Sequence, residues 1–269
     1  MTTSAEFASQ PIGFGTWPFK DEEAVRSVAS AIEIGYRLID TASKYENEQA
    51  VGRGIAASGL PREELFVQTK LRGHDHGDVR GALERSLEWL GVDYLDSWLI
   101  HWPLPMLGLY SKAFEQMAHA REEGLVRSIG VSNFLPEHLD ALKAETGLVP
   151  AVDQLPCDPS LNRPELRAEL AARGIQVQSW SPLARGGEVL EAQPVLEVAQ
   201  ARGITPGQVV LAWHHSNDLV PIVRSGSAQR QRENLEAVSI ELTDAEVASI
   251  SSLPQRGLGD FDPRTRDER

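Results

Sequence analysis

Eight short β-rich runs, separated by helical patterns from one end of the chain to the other, constrain the fold of these 269 residues more than anything else. The runs cover residues 12–16, 36–40, 65–69, 95–101, 128–131, 151–154, 176–180 and 220–223. Apolar residues recur at helical spacing between them, as at 22–34, 79–90 and 110–123, and Gly35, Gly91 and Gly124 follow as stop signals. Strict alternation of strand and helix is the pattern of a parallel sheet, and eight strands are the number a closed barrel needs. The expected fold is therefore an α/β (β/α)8 TIM barrel, a single domain over residues 1–269, close to the usual size of one such domain. Thr243 and Glu246 form a capping box for a last helix ending near Leu253, and residues 254–269 read as a loop.

In a parallel barrel the strand C-termini and the loops after them carry the chemistry. The second run ends on Asp40, and the loop beyond it holds Tyr45 before a helix begins near Glu46. Taken alone, this stretch also fits a turn capped by Asp40 and a packing tyrosine. Two further strand ends add weight: the third run finishes on Lys70, and the fourth on His101, which Trp102-Pro103 stops. A lysine at the end of a buried strand is costly without an acidic partner, which Asp40 would supply. Four polar groups, Asp40, Tyr45, Lys70 and His101, thus converge on one rim. Carbonyl reduction needs an acid for the developing oxyanion, and a tyrosine serves near neutrality when an ammonium lowers its pKa. Lys70 is placed for that, with Asp40 orienting it, while His101 reads as a neutral donor sharing an oxyanion pocket with Tyr45.

The quartet lies within GYRLIDTASKYENEQAVG (35–52), QTKLRGHDHG (68–77) and LIHWP (99–103). Three further segments accompany it: IGVSNF (129–134), SWSPLARGG (179–187) and VRSGSAQRQREN (223–234). Together they resemble the aldo-keto reductase family, in its bacterial diketogluconate-reductase-like branch, over nearly the whole chain. The resemblance implies an NADPH-dependent carbonyl reductase with Tyr45 as proton donor, supported by Asp40, Lys70 and His101. It implies carboxamide contacts from Ser132, Asn133 and Gln154, the nicotinamide ring stacked on Trp180, and further cofactor contacts from Gly15, Thr16, Asp40, Ser181 and Leu183. It places the 2′-phosphate at Arg224, Ser225, Ser227 and Arg230, and the adenine near Glu233 and Asn234. Independently of family, Arg224 and Arg230 flank a helix start, where backbone N–H groups and guanidinium forks attract phosphate; a solvated basic turn is the alternative. No GxGxxG run is present to support a Rossmann domain.

Departures from the family pattern are visible. Arg224 stands where a lysine is usual, and residues 152–159 read VDQLPCDP where relatives often have V-N-Q-V-E-x-H-P. Only about ten polar residues precede Pro11, so the β-hairpin that plugs the barrel floor in relatives is expected to be shortened or missing. The substrate pocket is expected to draw on Trp17, Tyr45, His101 and Trp102, with Phe19, Leu104, Met106, Leu107 and Phe261 nearby. His74 and His76 lack further ligands in reach by sequence, so no metal is assigned.

A formal net charge of −13 argues against nucleic acid or an anionic membrane as partner. The single Cys157 fits a reducing compartment. With no signal-like N-terminus and no apolar run near ~20 residues, a cytoplasmic protein, expected to be a monomer, follows. A non-catalytic NADPH-binding, redox-sensing module is the alternative function, because barrels of this family also serve as channel subunits and fold alone does not decide activity.

Overall fold

The computed structural model describes residues 10–268. Eight strands form a closed barrel in chain order: β1 (Gly13–Gly15), β2 (Leu38–Asp40), β3 (Phe66–Leu71), β4 (Leu95–Ile100), β5 (Val126–Ser132), β6 (Val152–Pro156), β7 (Gln176–Trp180) and β8 (Val220–Val223). Every neighbouring pair is parallel, and β8 closes on β1 through Gly13↔Ile222. Ten α-helices are found among the described residues, packed around the strands. The expected (β/α)8 barrel is the observed architecture.

Side chains alternate across each strand, and this alternation fills the barrel in layers. Leu38, Phe66, Leu99, Val152, Val220 and Ile222 form one apolar cluster. Their strand neighbours Ile39, Val67, Trp98, Ile100 and Val223 belong instead to the larger core shared with the helices. Two residues beyond Leu38 on β2 stands Asp40; two and four beyond Phe66 on β3 stand Gln68 and Lys70. The inward positions thus pass from apolar to polar toward the strand C-termini. Near the opposite end, Asp96 accepts hydrogen bonds from Arg62, Arg127 and the Val67 N–H, and both guanidinium groups lie over Tyr94, at 4.2 and 4.1 Å. Two places leave no room for a Cβ. At Gly13 it would stand 2.5 Å from Leu38 and Ile222, and at Gly52 it would stand 2.3 Å from the Leu90 carbonyl oxygen.

Most strand boundaries move by a residue or two from the sequence expectation. β3 continues through Leu71, so Lys70 lies inside the ladder, opposite Leu99, rather than just beyond it. Tyr45 ends a 3-10 turn, Ser43–Tyr45, and Glu46 follows in the left-handed region at φ 53°, which delays the next helix to Glu48–Ser58. The tail past residue 254 is a loop apart from a short 3-10 turn, Gly259–Phe261, and a second turn at residues 263–265. Arg256 holds it to Asp158, and Arg264 to Glu137 at 2.8 Å. The shortened N-terminal hairpin and the absent signal fall on residues 1–9, outside the described residues.

Candidate active site

The polar layer is built around one ion pair. Lys70 Nζ donates to both Asp40 carboxylate oxygens, at 2.8 and 2.7 Å, and to the Thr41 carbonyl at 2.9 Å. Lys70 is fully buried and Asp40 is 3% exposed. Such a pair is tolerable only when the remaining lone pairs are satisfied. Here Asp40 Oδ1 also accepts from Gln68 Nε2 at 2.7 Å and Gln154 Nε2 at 2.9 Å. Both amides donate in turn to Gln178 Oε1, at 2.8 and 2.9 Å. Burial alone would push the Lys70 ammonium down, but the charges and hydrogen bonds of Asp40 and Tyr45 hold it above its ordinary range. Gln68 and Gln178 escape a local reading because their partners stand on strands remote in sequence.

Tyr45 sits over this pair, with Lys70 Nζ 5.2 Å from its ring centroid. The expected lowering of the phenol does not result. Burial raises it above its ordinary value, Asp40 and Glu268 push the same way, and Lys70 only opposes them. The ring meets His101 edge-on at 5.7 Å between centroids. His101 Nδ1 lies 2.5 Å from Glu268 Oε1, in the tail. The contact lies off the N–H direction, an ion-pair contact rather than an aligned hydrogen bond, and neither buried atom has a hydrogen-bond partner among the described residues.

A cavity of about 640 Å³ opens above the quartet, and Asp40, Tyr45 and His101 line it. Trp17, Trp102 and Phe261 line it as expected, joined by Lys44, Arg185, Arg266 and Glu268, which sequence reasoning misses. Phe19, Leu104, Met106 and Leu107 do not. Phe19 stacks on Phe14, Leu104 is buried beside Gly73, and Met106 is 49% exposed. A second cavity of about 510 Å³, among Asn47, Glu48, Arg85 and Trp89, lies away from the quartet.

The remaining predicted residues divide between cavity wall and support. Gly15, Thr16, Ser132, Asn133, Gln154, Trp180, Ser181, Leu183, Arg224, Ser225, Arg230 and Asn234 line the cavity. Thr16 Oγ1 nevertheless donates to Thr41. Asn133, at φ 63°, donates to the His101 carbonyl and to Ser132 Oγ and accepts from Trp180 Nε1 at 2.9 Å, which fixes the indole. Ser227 and Glu233 do not reach the wall: Ser227 caps the helix Ala228–Glu236, and Glu233 accepts from Gln229. Arg230 Nε donates weakly to Ser225 Oγ at 3.4 Å, and the Arg224 guanidinium lies over Phe19. Neither arginine forms an ion pair among the described residues. Two uncompensated guanidinium groups beside a helix N-terminus suit a phosphate.

The fold and rim define a (β/α)8 barrel with a buried ion pair, a tyrosine and a histidine gathered at its strand C-termini. The chain belongs to the aldo/keto reductase family, a family of oxidoreductases, whose sequence profile matches residues 11–254. It is 45% identical to 2,5-diketo-D-gluconic acid reductase B of Corynebacterium sp., over 95% of this chain and 93% of that one. With methylglyoxal reductase DkgA of Salmonella typhimurium it shares 42% identity, over 91% and 89%. Among solved structures, a mutant of Gox0644 in complex with NADPH has a TM-score of 0.89 at 33% identity, covering 96% of this chain and 94% of that one. A Bombyx mori aldo-keto reductase in complex with NADP has 0.83 at 34%, covering 91% and 89%.

Proposed function

We propose that this protein reduces aldehyde or ketone carbonyls to alcohols with NADPH, and that Tyr45 supplies the proton. One observation carries the reading: a buried, fully hydrogen-bonded Asp40–Lys70 pair stands beneath a tyrosine and a histidine that both face the same cavity. Bound NADPH would supply the hydride. The residues do the rest. Arg224 and Arg230 would hold the 2′-phosphate, Trp180 offers an indole face fixed by Asn133, and Ser132, Asn133 and Gln154 present polar atoms at the ends of two neighbouring strands.

Tyr45 is kept protonated near neutrality by burial, so its proton is available to a carbonyl oxygen. As that proton leaves, negative charge builds on the phenolic oxygen beside Lys70. The ammonium stabilises it while Asp40 prevents the lysine from turning away. Trp17, Trp102 and Phe261 give the cavity an apolar wall for the rest of the substrate. Arg185 and Arg266 at the same wall favour substrates that also carry an anionic or hydroxylated group.

We read residues 1–269 as one barrel domain acting as a cytoplasmic monomer; among the described residues no helix is long and apolar enough to cross a membrane. The test is NADPH oxidation over a panel of aldehydes, ketones and keto acids. Saturable NADPH binding without turnover on any of them would favour a non-catalytic, redox-sensing module instead.

A further inference from the structure

Glu268 approaches the site from a segment that reads in the sequence as a plain polar loop. Its carboxylate is 6% exposed and lies between two parts of the rim. Oε2 accepts from the Gly73 N–H, after β3, at 3.1 Å, and Oε1 lies 2.5 Å from His101 Nδ1, after β4. A Cβ on Gly73 would collide with Leu104, 2.0 Å away, while Oε2 would stand at an ordinary contact distance of 3.6 Å. Behind it, Arg266 lies over Trp102 and Phe261, at 5.6 and 5.5 Å.

The chemistry of the contact is restrictive. An ionised carboxylate only accepts, and although the contact is not aligned on the ring N–H, an unprotonated Nδ1 would leave two electron-rich atoms 2.5 Å apart in a buried place. Nδ1 therefore carries a proton. In the neutral ring, Nε2 would then turn a lone pair toward the cavity, where a carbonyl oxygen needs a donor. Only the doubly protonated ring satisfies the carboxylate and a carbonyl together.

We infer that Glu268 is a positioning residue for His101: held by the Gly73 N–H, it fixes the proton on Nδ1 and balances the charge of a ring that presents Nε2–H to the substrate oxygen. This role rests on the carbonyl-reduction reading and replaces the neutral histidine expected from sequence. The charges nearby are consistent with it. Burial would push the Glu268 carboxyl up, but His101, the Gly73 N–H and Lys44 hold it below the ordinary range. His76, which also faces Glu268, is pushed down to about 4 by burial and stays neutral. Tyr45 is protonated, and Asp40 is neutralised by Lys70, leaving Glu268 as the counter-charge to His101.

The experiment compares full-length wild type, Glu268→Ala and Glu268→Gln by 15N spectroscopy of the histidine rings at neutral pH, with His101 assigned from His101→Ala. Steady-state kinetics on one neutral aldehyde accompany it. Wild type should show both His101 nitrogens protonated, and Glu268→Ala should lose the Nδ1 proton. Its kcat should fall about ten- to a hundredfold, because the neutral Nε2–H tautomer that remains is a weaker donor to the developing oxyanion than the charged ring, with the KM for NADPH unchanged. Glu268→Gln keeps an acceptor oxygen without the charge and should fall between. An unchanged ring pattern in Glu268→Ala, or a kcat equal to or above wild type, would overturn the role. If wild type reduces no carbonyl, the functional reading fails, while the spectra still decide where the His101 proton lies.

Discussion

Replacing Lys70 by methionine separates the two tasks given to this residue, stability and acid strength. The methionine roughly fills the lysine's volume but leaves Asp40 buried without its cation. Breaking a buried pair costs about 3–5 kcal/mol. The lower end applies here, because Gln68 and Gln154 still donate to Asp40 Oδ1. For the chemistry, the 5.2 Å from the ammonium to the Tyr45 ring centroid sets the scale of its distance to a phenolate charge shared between ring and oxygen. With an effective dielectric of about 20, the lost attraction is about 3 kcal/mol, or roughly two decades. The phenol, already raised by burial, rises further and becomes a weaker acid. Lys70→Met should therefore lose about ten- to a hundredfold in kcat at neutral pH, while urea unfolding shows a loss of about 3 kcal/mol. A second change, Asp40→Asn on the same chain, removes the orphaned charge. It should recover most of the stability and none of the activity. NADPH oxidation and urea melts on the three proteins read both quantities. A Lys70→Met enzyme with wild-type kcat, or a double variant that regains turnover, would refute the proposed link between the lysine and Tyr45.

Tyr45→Phe should keep its fold and its NADPH affinity and lose at least ~100-fold in kcat; turnover near wild type would mean another group is the acid. Neutralising Arg224 and Arg230 together should weaken NADPH by about ten- to a hundredfold, leave NADH nearly unchanged and flatten the salt dependence of NADPH binding, read by titration. Buried Asp153 gives a pH signature. Burial pushes its carboxyl up to about 8, with the Phe134 N–H and Arg163 only opposing. The folded chain then binds a proton that the unfolded chain releases near pH ~4. This contribution is full below that pH and fades as pH rises toward 8. Asp153→Asn should remove the slope, so its urea midpoint should gain on wild type between pH 5 and pH 8; parallel profiles would show that Asp153 is not the group responsible.

Strand-borne residues are the legible part of this molecule. Asp40, Lys70 and His101 stand at or beside the ends of strands that local pattern alone identifies, and an even inward spacing on β3 carries Phe66, Gln68 and Lys70 to successive layers. The partners of those residues are not legible in the same way. Gln68 bonds Gln178 across 110 residues, and nothing near either glutamine announces the other. Glu268 is one acid among many in a polar tail, and only its packing against Gly73 and His101 distinguishes it. The direction of the shift at Tyr45 is hidden for a related reason: the lysine is visible in sequence, but the burial that outweighs it is a property of the assembled rim. Phe19 and Leu104 look like pocket residues by type and serve as packing by position.

The amide layer beneath the ion pair ties the order of assembly to the chemistry. Asp40 and Lys70 come from the first half of the barrel, whereas Gln154 and Gln178 come from the second. A half-barrel ending after β4 could bring the aspartate to the lysine, but it would leave Oδ1 short of the Gln154 donor and Gln68 without its Gln178 acceptor. Closure of the sheet therefore does two things in one step. It shields the pair from water, and it supplies the hydrogen bonds that make a dry pair tolerable. Such long-range closure is the slow part of folding a parallel barrel. Recovery of catalytic turnover during refolding should consequently track the final closing phase and lag behind the return of helical signal. Activity would then serve as a clock for the last event in the folding of this chain rather than for its collapse.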